Sequence, residues 1–252
     1  MKASKTELLS LFKLAFEARG FDVGGYESAA ELAVWAEMHG LRSFESIAAG
    51  MPHYSAQQRH PIELPMDNKH QLEIKLKGRS MLFCADLVSD LVYASALSLG
   101  YCAATVADCS EPELIIRKLA ENRARGISGA ACWQDGDLLR LAQTTPASCI
   151  PEILDFASQS EDQHANRIPE VNSLFLLYAA GEDVFQKLLV EYFPFLCGKE
   201  IAKKTSAELQ ENYCAALDRG IEISECFWQA LVTLGNEVLV ESSEQSRRGA
   251  GA

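Results

Sequence analysis

Tyr101-Cys102-Ala103-Ala104-Thr105-Val106-Ala107, followed by Asp108-Cys109-Ser110-Glu111-Pro112-Glu113, is the stretch whose reading decides the fold. The run from Tyr101 to Ala107 is apolar and of strand length. A helix is expected next: Ser110 can cap it, Pro112 suits its first turn and Glu113 completes a capping box. That helix should reach about Arg125 and stop at Gly126, and Ile127 to Trp133 reads as another strand. Upstream, residues 86–99 form a mostly apolar helix closed by Gly100. Downstream, Asp135-Gly136 is a hairpin turn and Leu138 to Ala142 returns. Helix, strand, helix, strand with short links implies a βαβ crossover.

Working outward, residues 5–19 carry Leu8, Leu9, Leu11, Phe12, Ala15 and Phe16 at helical spacing. Residues 27–39 repeat the pattern up to Gly40, which makes the two helices antiparallel neighbours. Residues 50–70, with Pro52, Pro61 and Pro65, read as irregular. Leu72, Ile74 and Leu76 alternate with charged residues as a half-exposed strand does, and Met81 to Ala85 is its expected partner. Residues 158–168 read as a polar loop and Ser173 to Ala179 as a buried strand. Helices are expected over 182–193, over 206–219 behind the capping box Thr205-Ser206-Ala207-Glu208, and over 224–236. The class is therefore mixed α/β, of the α+β kind. A helical N-terminal arm (1–50) leads into a small central sheet with a βαβ crossover (70–180) and a helical part (182–240). Together they form one globular domain, 1–242, with a flexible tail at 243–252.

The chain has 252 residues, of which 48% are hydrophobic, enough for a real core. No apolar run reaches the roughly 18 residues of a membrane span, and Met1 to Glu7 lacks the pattern of a secretory signal. A net charge of −12 argues against nucleic acid as a partner. Eight cysteines without a C-x-x-C read as small hydrophobes of a reduced, cytoplasmic protein. There is no G-x-G-x-x-G, no P-loop, no H-E-x-x-H and no G-x-S-x-G. His53, His60 and His70 share the irregular segment and read as solvated loop residues, so no metal is expected.

Ala36-Glu37-Met38-His39-Gly40-Leu41-Arg42-Ser43-Phe44-Glu45 resembles the A-D-L-R-G-I-D-S-H-G stretch of the non-Rossmann malate/L-lactate dehydrogenase family. That family reduces 2-oxo acids with nicotinamide cofactors. The likeness continues from Asp86 to Gly126 and returns at Gly220-Ile221-Glu222-Ile223 with Trp228 and Leu231. It implies that family's fold, a homodimer and a cofactor, NADH or NADPH. Two departures bear on chemistry. The family's catalytic histidine falls at Phe44, and its second histidine motif falls near Asp108-Cys109-Ser110-Glu111-Pro112, where no histidine stands. The central section that helps to bind the dinucleotide is also shortened, which argues against the cofactor. The tail Ser243 to Ala252 resembles the S-R-x-x-G-A-G-A ending of a bacterial family of unknown function, which would then be a shortened offshoot of the dehydrogenases.

Three functions follow from these readings. The first is a divergent small-molecule enzyme whose candidate catalytic residues are His39, Cys109 and Ser110. Cys109 earns its place because helix N-termini lower thiol pKa values. Arg42, Ser43 and Asp108 are candidate ligand contacts at the ancestral cleft. The second is a non-catalytic ligand-binding or accessory protein, in which Arg247 and Arg248 of the tail would grip a carboxylate or phosphate. The third is a surviving NAD(P)H-dependent reductase of 2-oxo acids or cyclic imines.

Overall fold

The computed structural model describes residues 1–54, 61–157, 169, 172–197 and 200–238. The chain opens with β1 (Lys2–Ala3), α1 (Lys5–Ala18), α2 (Val23–Met38) and α3 (Ser43–Gly50). Then come β2 (Glu63–Asn68), β3 (Gln71–Ser80), α4 (Met81–Leu99) and β4 (Tyr101–Ser110). A 3-10 turn (Pro112–Ile115) leads into α5 (Ile116–Ala124), β5 (Ser128–Asp135), β6 (Leu138–Thr145) and β7 (Ser148–Ala157). The chain continues through β8 (Leu174–Ala179), α6 (Glu182–Tyr192) and β9 (Glu200–Lys204), and the last described elements are α7 (Ser206–Arg219), β10 (Ile221–Glu222) and α8 (Glu225–Val238).

Eight strands form one sheet in the order β2-β3-β4-β8-β5-β6-β7-β9. β3 and β4 pair in parallel and are joined by α4, which is a βαβ crossover. β4 and β5 both pair antiparallel with β8, so they also run in the same direction, with α5 as their connection and β8 inserted between them. The expected crossover is thus present twice. One face of the sheet carries α1, α2, α4 and α5 over the larger core, around Phe12, Phe16, Val88, Val92 and Leu119. The other face carries α6, with Phe185, Leu188 and Leu189 packed on Leu139, Leu141, Leu154 and Phe156. The chain ends of the fold are tied together by β1 and β10, where Lys2 faces Glu222, and the Met1 ammonium donates to the Ile223 carbonyl at 2.8 Å.

Several local expectations are corrected. Met81 to Ala85 is the start of α4 rather than a strand, because Ser80 caps it: its hydroxyl accepts from the Leu82 N–H at 2.9 Å. The joined helix is long and apolar enough to cross a bilayer by composition, yet Met81, Leu82, Ala85, Val88, Val92 and Ala96 are buried against the core. Ser110 does not cap a helix. It ends β4 opposite Ser80, and Glu111 takes the N-cap position with a left-handed φ of 52°. The segment 50–70 holds a strand, β2, whose residues are all exposed, so burial left no periodic trace in them. β7 and β9 also went unread. β7 contains Pro151, and all of β9 is exposed at the sheet edge.

Candidate functional site

The C-terminal ends of the parallel strands β3 and β4 lie side by side, with Arg79 opposite Cys109 and Ser80 opposite Ser110. Open α/β sheets place ligands at this end of their strands. Lys77 and Gly78 at positive φ (54° and 82°) interrupt the register between Lys75 and Arg79, which re-aims the last residues of β3. Across from them stands Tyr54, just beyond α3, with its ring edge-on to Phe83 at 5.1 Å. Its hydroxyl donates to Glu111 Oε1 at 3.1 Å, a buried contact between residues 57 apart in the chain. The Ser110 hydroxyl donates to Glu111 Oε2 at 2.9 Å, and Ser80 bonds the same carboxyl. Gly50 is required beside them: a Cβ there would lie 2.5 Å from Glu111 Oε1 and 2.7 Å from the Tyr54 ring.

A second acid stands beside the first. Glu113 Oε1 accepts from the Ser46 hydroxyl at 3.0 Å. Burial pushes both carboxyls up from the ordinary range, more strongly than their hydroxyl partners pull them down, and the Glu111 charge raises Glu113 further. Burial and the Glu111 charge also hold the Tyr54 phenol protonated far above its usual range. A surface cleft of about 210 Å³ opens over this cluster. Phe21, Asp22, Gly25, Tyr54, Arg79, Ser80 and Phe83 line it. Tyr54 and Ser80, both buried, are thus lining residues of the cleft and partners of the Glu111 carboxyl.

The other candidates are placed as follows. Cys109 is buried, its thiol pushed up to about 12 chiefly by burial, and Sγ contacts the Val106 carbonyl at 3.9 Å. His39 is buried with its ring stacked on Trp35 at 3.9 Å and on Tyr213 at 5.1 Å. Its Nδ1–H donates to the Trp35 carbonyl at 2.7 Å, and burial lowers its pKa. The Ser43 hydroxyl donates to the Ala33 carbonyl at 3.1 Å, and Glu37 accepts from the Phe44 N–H at 3.0 Å. Arg42 and Asp108 are exposed at left-handed φ of 53° each, and Arg42 sits near Lys204, whose pKa burial lowers first and Arg140 and Arg42 lower further. Arg247 and Arg248 lie outside the described residues. Phe44 is core: its ring meets Phe12 at 5.2 Å and Phe227 at 5.9 Å. Sequence reasoning passed over Tyr54, Arg79, Glu111 and Glu113. The one local signal was a pair of acids flanking Pro112, and the capping reading absorbed it.

Thiol reactivity follows from the same burial. In the native protein Cys149, Cys214 and Cys226 should be alkylated within minutes, whereas Cys84, Cys102, Cys109 and Cys132 should react only on unfolding. Site-resolved mass spectrometry after brief alkylation reads this directly. Labelling of native Cys109 at the rate of Cys149 would reverse the assignment.

The solved structures settle the architecture. Malate dehydrogenase from Pyrococcus horikoshii OT3 superposes with a TM-score of 0.65 at 12% identity, over 96% of this chain and 96% of that one. Malate dehydrogenase from Entamoeba histolytica gives 0.66 at 8% identity, over 96% and 99%. The delta1-piperideine-2-carboxylate reductase of Pseudomonas syringae pvar. tomato gives 0.60 at 10%, over 93% and 99%. The fold is malate/lactate dehydrogenase-like. Residues 3–81 match the family model described as "Protein of unknown function (DUF3726)". The dehydrogenase-like fold and a family of unknown function thus meet in one chain, as the resemblance implied. Among curated proteins, none matches the sequence.

The sequence resemblance implied a nicotinamide dinucleotide. Four clefts lined by described residues measure about 200, 210, 270 and 290 Å³. Each is below the roughly 300–1,000 Å³ that receives a drug-sized ligand, and a dinucleotide is larger still. These clefts do not fit it, and no hydride step is assigned to them. Among the described residues, no group of three His, Cys, Asp or Glu side chains is placed to hold a metal.

Proposed function

We propose that this chain is a divergent small-molecule enzyme on the dehydrogenase-like fold. Substrate lies in the cleft beside Tyr54, Arg79 and Ser80; its proton passes to the Tyr54 oxygen as the Tyr54 proton passes along its hydrogen bond to the Glu111 carboxylate, and the reverse steps return a proton that Glu111 has exchanged with solvent. The observation that carries the reading is the buried Glu111 carboxyl, bonded by Tyr54 and Ser80, two residues that also line the cleft. A buried acid with a raised pKa beside a cleft is a functional-site signature, and the left-handed backbone at Glu111 is strain of the kind that gathers at such sites. Glu111 also stands where the sequence resemblance puts the dehydrogenases' second histidine motif. The chemistry this arrangement suits is proton transfer next to a carbonyl or imine of a small acid.

Malate and Δ1-piperideine-2-carboxylate, named for the structural neighbours, mark small 2-oxo acids and cyclic imino acids as the compounds to test. Proton NMR in D2O should show enzyme-dependent deuterium incorporation beside the carbonyl or imine of at least one of them. Glu111→Gln and Tyr54→Phe should each slow it by about 10²-fold or more. Saturable binding with no exchange by the wild type would overturn the enzyme in favour of a ligand-binding or accessory protein. Phe44 locked in an aromatic core and Cys109 buried as a thiol favour that second reading. Free cysteines support a reducing, cytoplasmic setting, and the exposed Leu87, Leu97 and Leu99 of α4 support a homodimer.

A further inference from the structure

One of the four clefts is lined by cations without an acid. Lys2, Lys5 and Arg219 meet there, in about 290 Å³, whereas Asp22, Glu31 and Glu73 each line one of the others. The chain carries 35 acids against 23 bases, so composition does not account for the grouping. Among the described residues none of the three forms an ion pair. Glu222 faces Lys2 across the β1–β10 pair without bonding its ammonium. α1 begins at this cleft and α7 ends at it, so the two helix dipoles oppose each other and the side chains set its sign.

The cationic cleft adjoins an apolar one of about 200 Å³, and Lys5 lines both. Helical spacing aligns them: Lys5 and Leu9 share a face of α1, as Tyr213, Ala216 and Leu217 share a face of α7. Leu9, Val34, Trp35 and Tyr213 line the apolar part, and its acid, Glu31, is bound by Arg117 at 2.6 Å. The Lys5 ammonium stands 5.9 Å from the centre of the Tyr213 ring, at the junction. Taken as one groove, the two clefts reach the roughly 300–1,000 Å³ of ordinary small-molecule sites.

We propose that this α1–α7 groove binds a small amphipathic dianion, a phosphate monoester on a flat apolar body. The phosphate lies among Lys2, Lys5 and Arg219, and the body lies on Trp35 and Tyr213. Three cations match a group of charge near −2 better than they match a carboxylate, and a guanidinium can give a phosphate two parallel N–H bonds. Exposed charges hold an anion weakly one at a time, so affinity needs all three together. The groove shares no lining residue with the cleft beside Tyr54, and neither reading depends on the other.

Phenyl phosphate, benzoate and inorganic phosphate, titrated calorimetrically into the whole chain at about pH 7.5 and low salt, separate the head from the body. Phenyl phosphate should bind at least about fivefold more tightly than either of the others. Arg219→Gln and Lys5→Met should each weaken it by about fivefold or more. Both side chains are exposed, so circular dichroism melts of the variants should match the wild type. His39 reports the body, because its ring stacks on Trp35 at 3.9 Å and on Tyr213 at 5.1 Å. Its ring signals in NMR should move with phenyl phosphate and stay in place with inorganic phosphate. Benzoate or inorganic phosphate bound as tightly as phenyl phosphate, unchanged affinity in both variants, or no saturable binding of phenyl phosphate would overturn the proposal.

Discussion

Replacing Phe44 by histidine is expected to destabilise the protein by about 2–4 kcal/mol, and to restore no acid–base group. The position is where the dehydrogenase resemblance puts a catalytic histidine, so the substitution looks like a repair. Packing makes it a wound. Phe44 is buried between Phe12 and Phe227, and Phe12 in turn packs on Phe16 at 5.4 Å. An imidazole there loses apolar burial and brings two ring nitrogens into a wall of phenyl rings. The folded state would hold the ring neutral and so bind fewer protons than the unfolded chain. The loss should therefore deepen as pH falls through about 6.5. Thermal melts at pH 8 and pH 5.5 test this, with a drop of roughly 4–16 °C at the higher pH. A Phe44→His protein as stable as the wild type at both pH values would mean that the ring is not core and that the histidine site survives.

Glu111→Gln should do two things of opposite sign: slow proton exchange by about 10²-fold or more and raise stability above the range where a free carboxyl titrates. Burial raises the Glu111 carboxyl in the folded protein, so between the unfolded and the raised folded value the native state binds more protons than the unfolded chain. Its contribution to stability is therefore fully present below the unfolded value, near 4.3, and is lost as pH rises through the raised folded value. Glutamine keeps the size and the hydrogen bonds to Tyr54 and Ser110 but cannot ionise. The variant should gain on the order of 1 kcal/mol at pH 8, about 2–4 °C in Tm, and nothing at pH 4. Glu113→Gln should show the same pH signature, because burial also raises that carboxyl, which accepts from Ser46. If Glu111→Gln were less stable than wild type at pH 8 while still exchanging protons, Glu111 would be an ordinary ion-paired acid and the site would lie elsewhere.

Much of the skeleton was legible because its causes are local. Ser4 and Glu7 build a reciprocal cap at α1, as Thr205 and Glu208 do at α7, and these contacts span three residues. Gly100 and Gly126, at φ 90° and 87°, end α4 and α5 as their missing side chains allow. The apolar stripe of α1 announced its buried face, with Leu8, Phe12, Ala15 and Phe16 inside. The absence of a histidine at Phe44 and along 108–112 is likewise a fact of sequence alone.

The site was not legible, because its causes are distant in the chain. Ser110 had the composition of a cap, but pairing of β4 with β3 kept it in a strand and handed the N-cap position to Glu111. Cys109 stood before an expected helix start that would have activated it, and the packing of α4 over β4 raised its thiol instead. β8 enters between β4 and β5 from residues 174–179, which no local pattern at either strand announces. Tyr54, Ser80 and Glu111 form one hydrogen-bonded cluster only where the chain beyond α3, the end of β3 and the end of β4 converge, and Arg79 and Asp22 come to line one cleft in the same way. Caps and periodicity by themselves determined the helices, and residue identity alone the absence of histidines at Phe44 and along 108–112. Desolvation and charge pairing depend on what packs against a group rather than on what precedes it, so only the tertiary structure decided which acids are buried and which residues share a cleft.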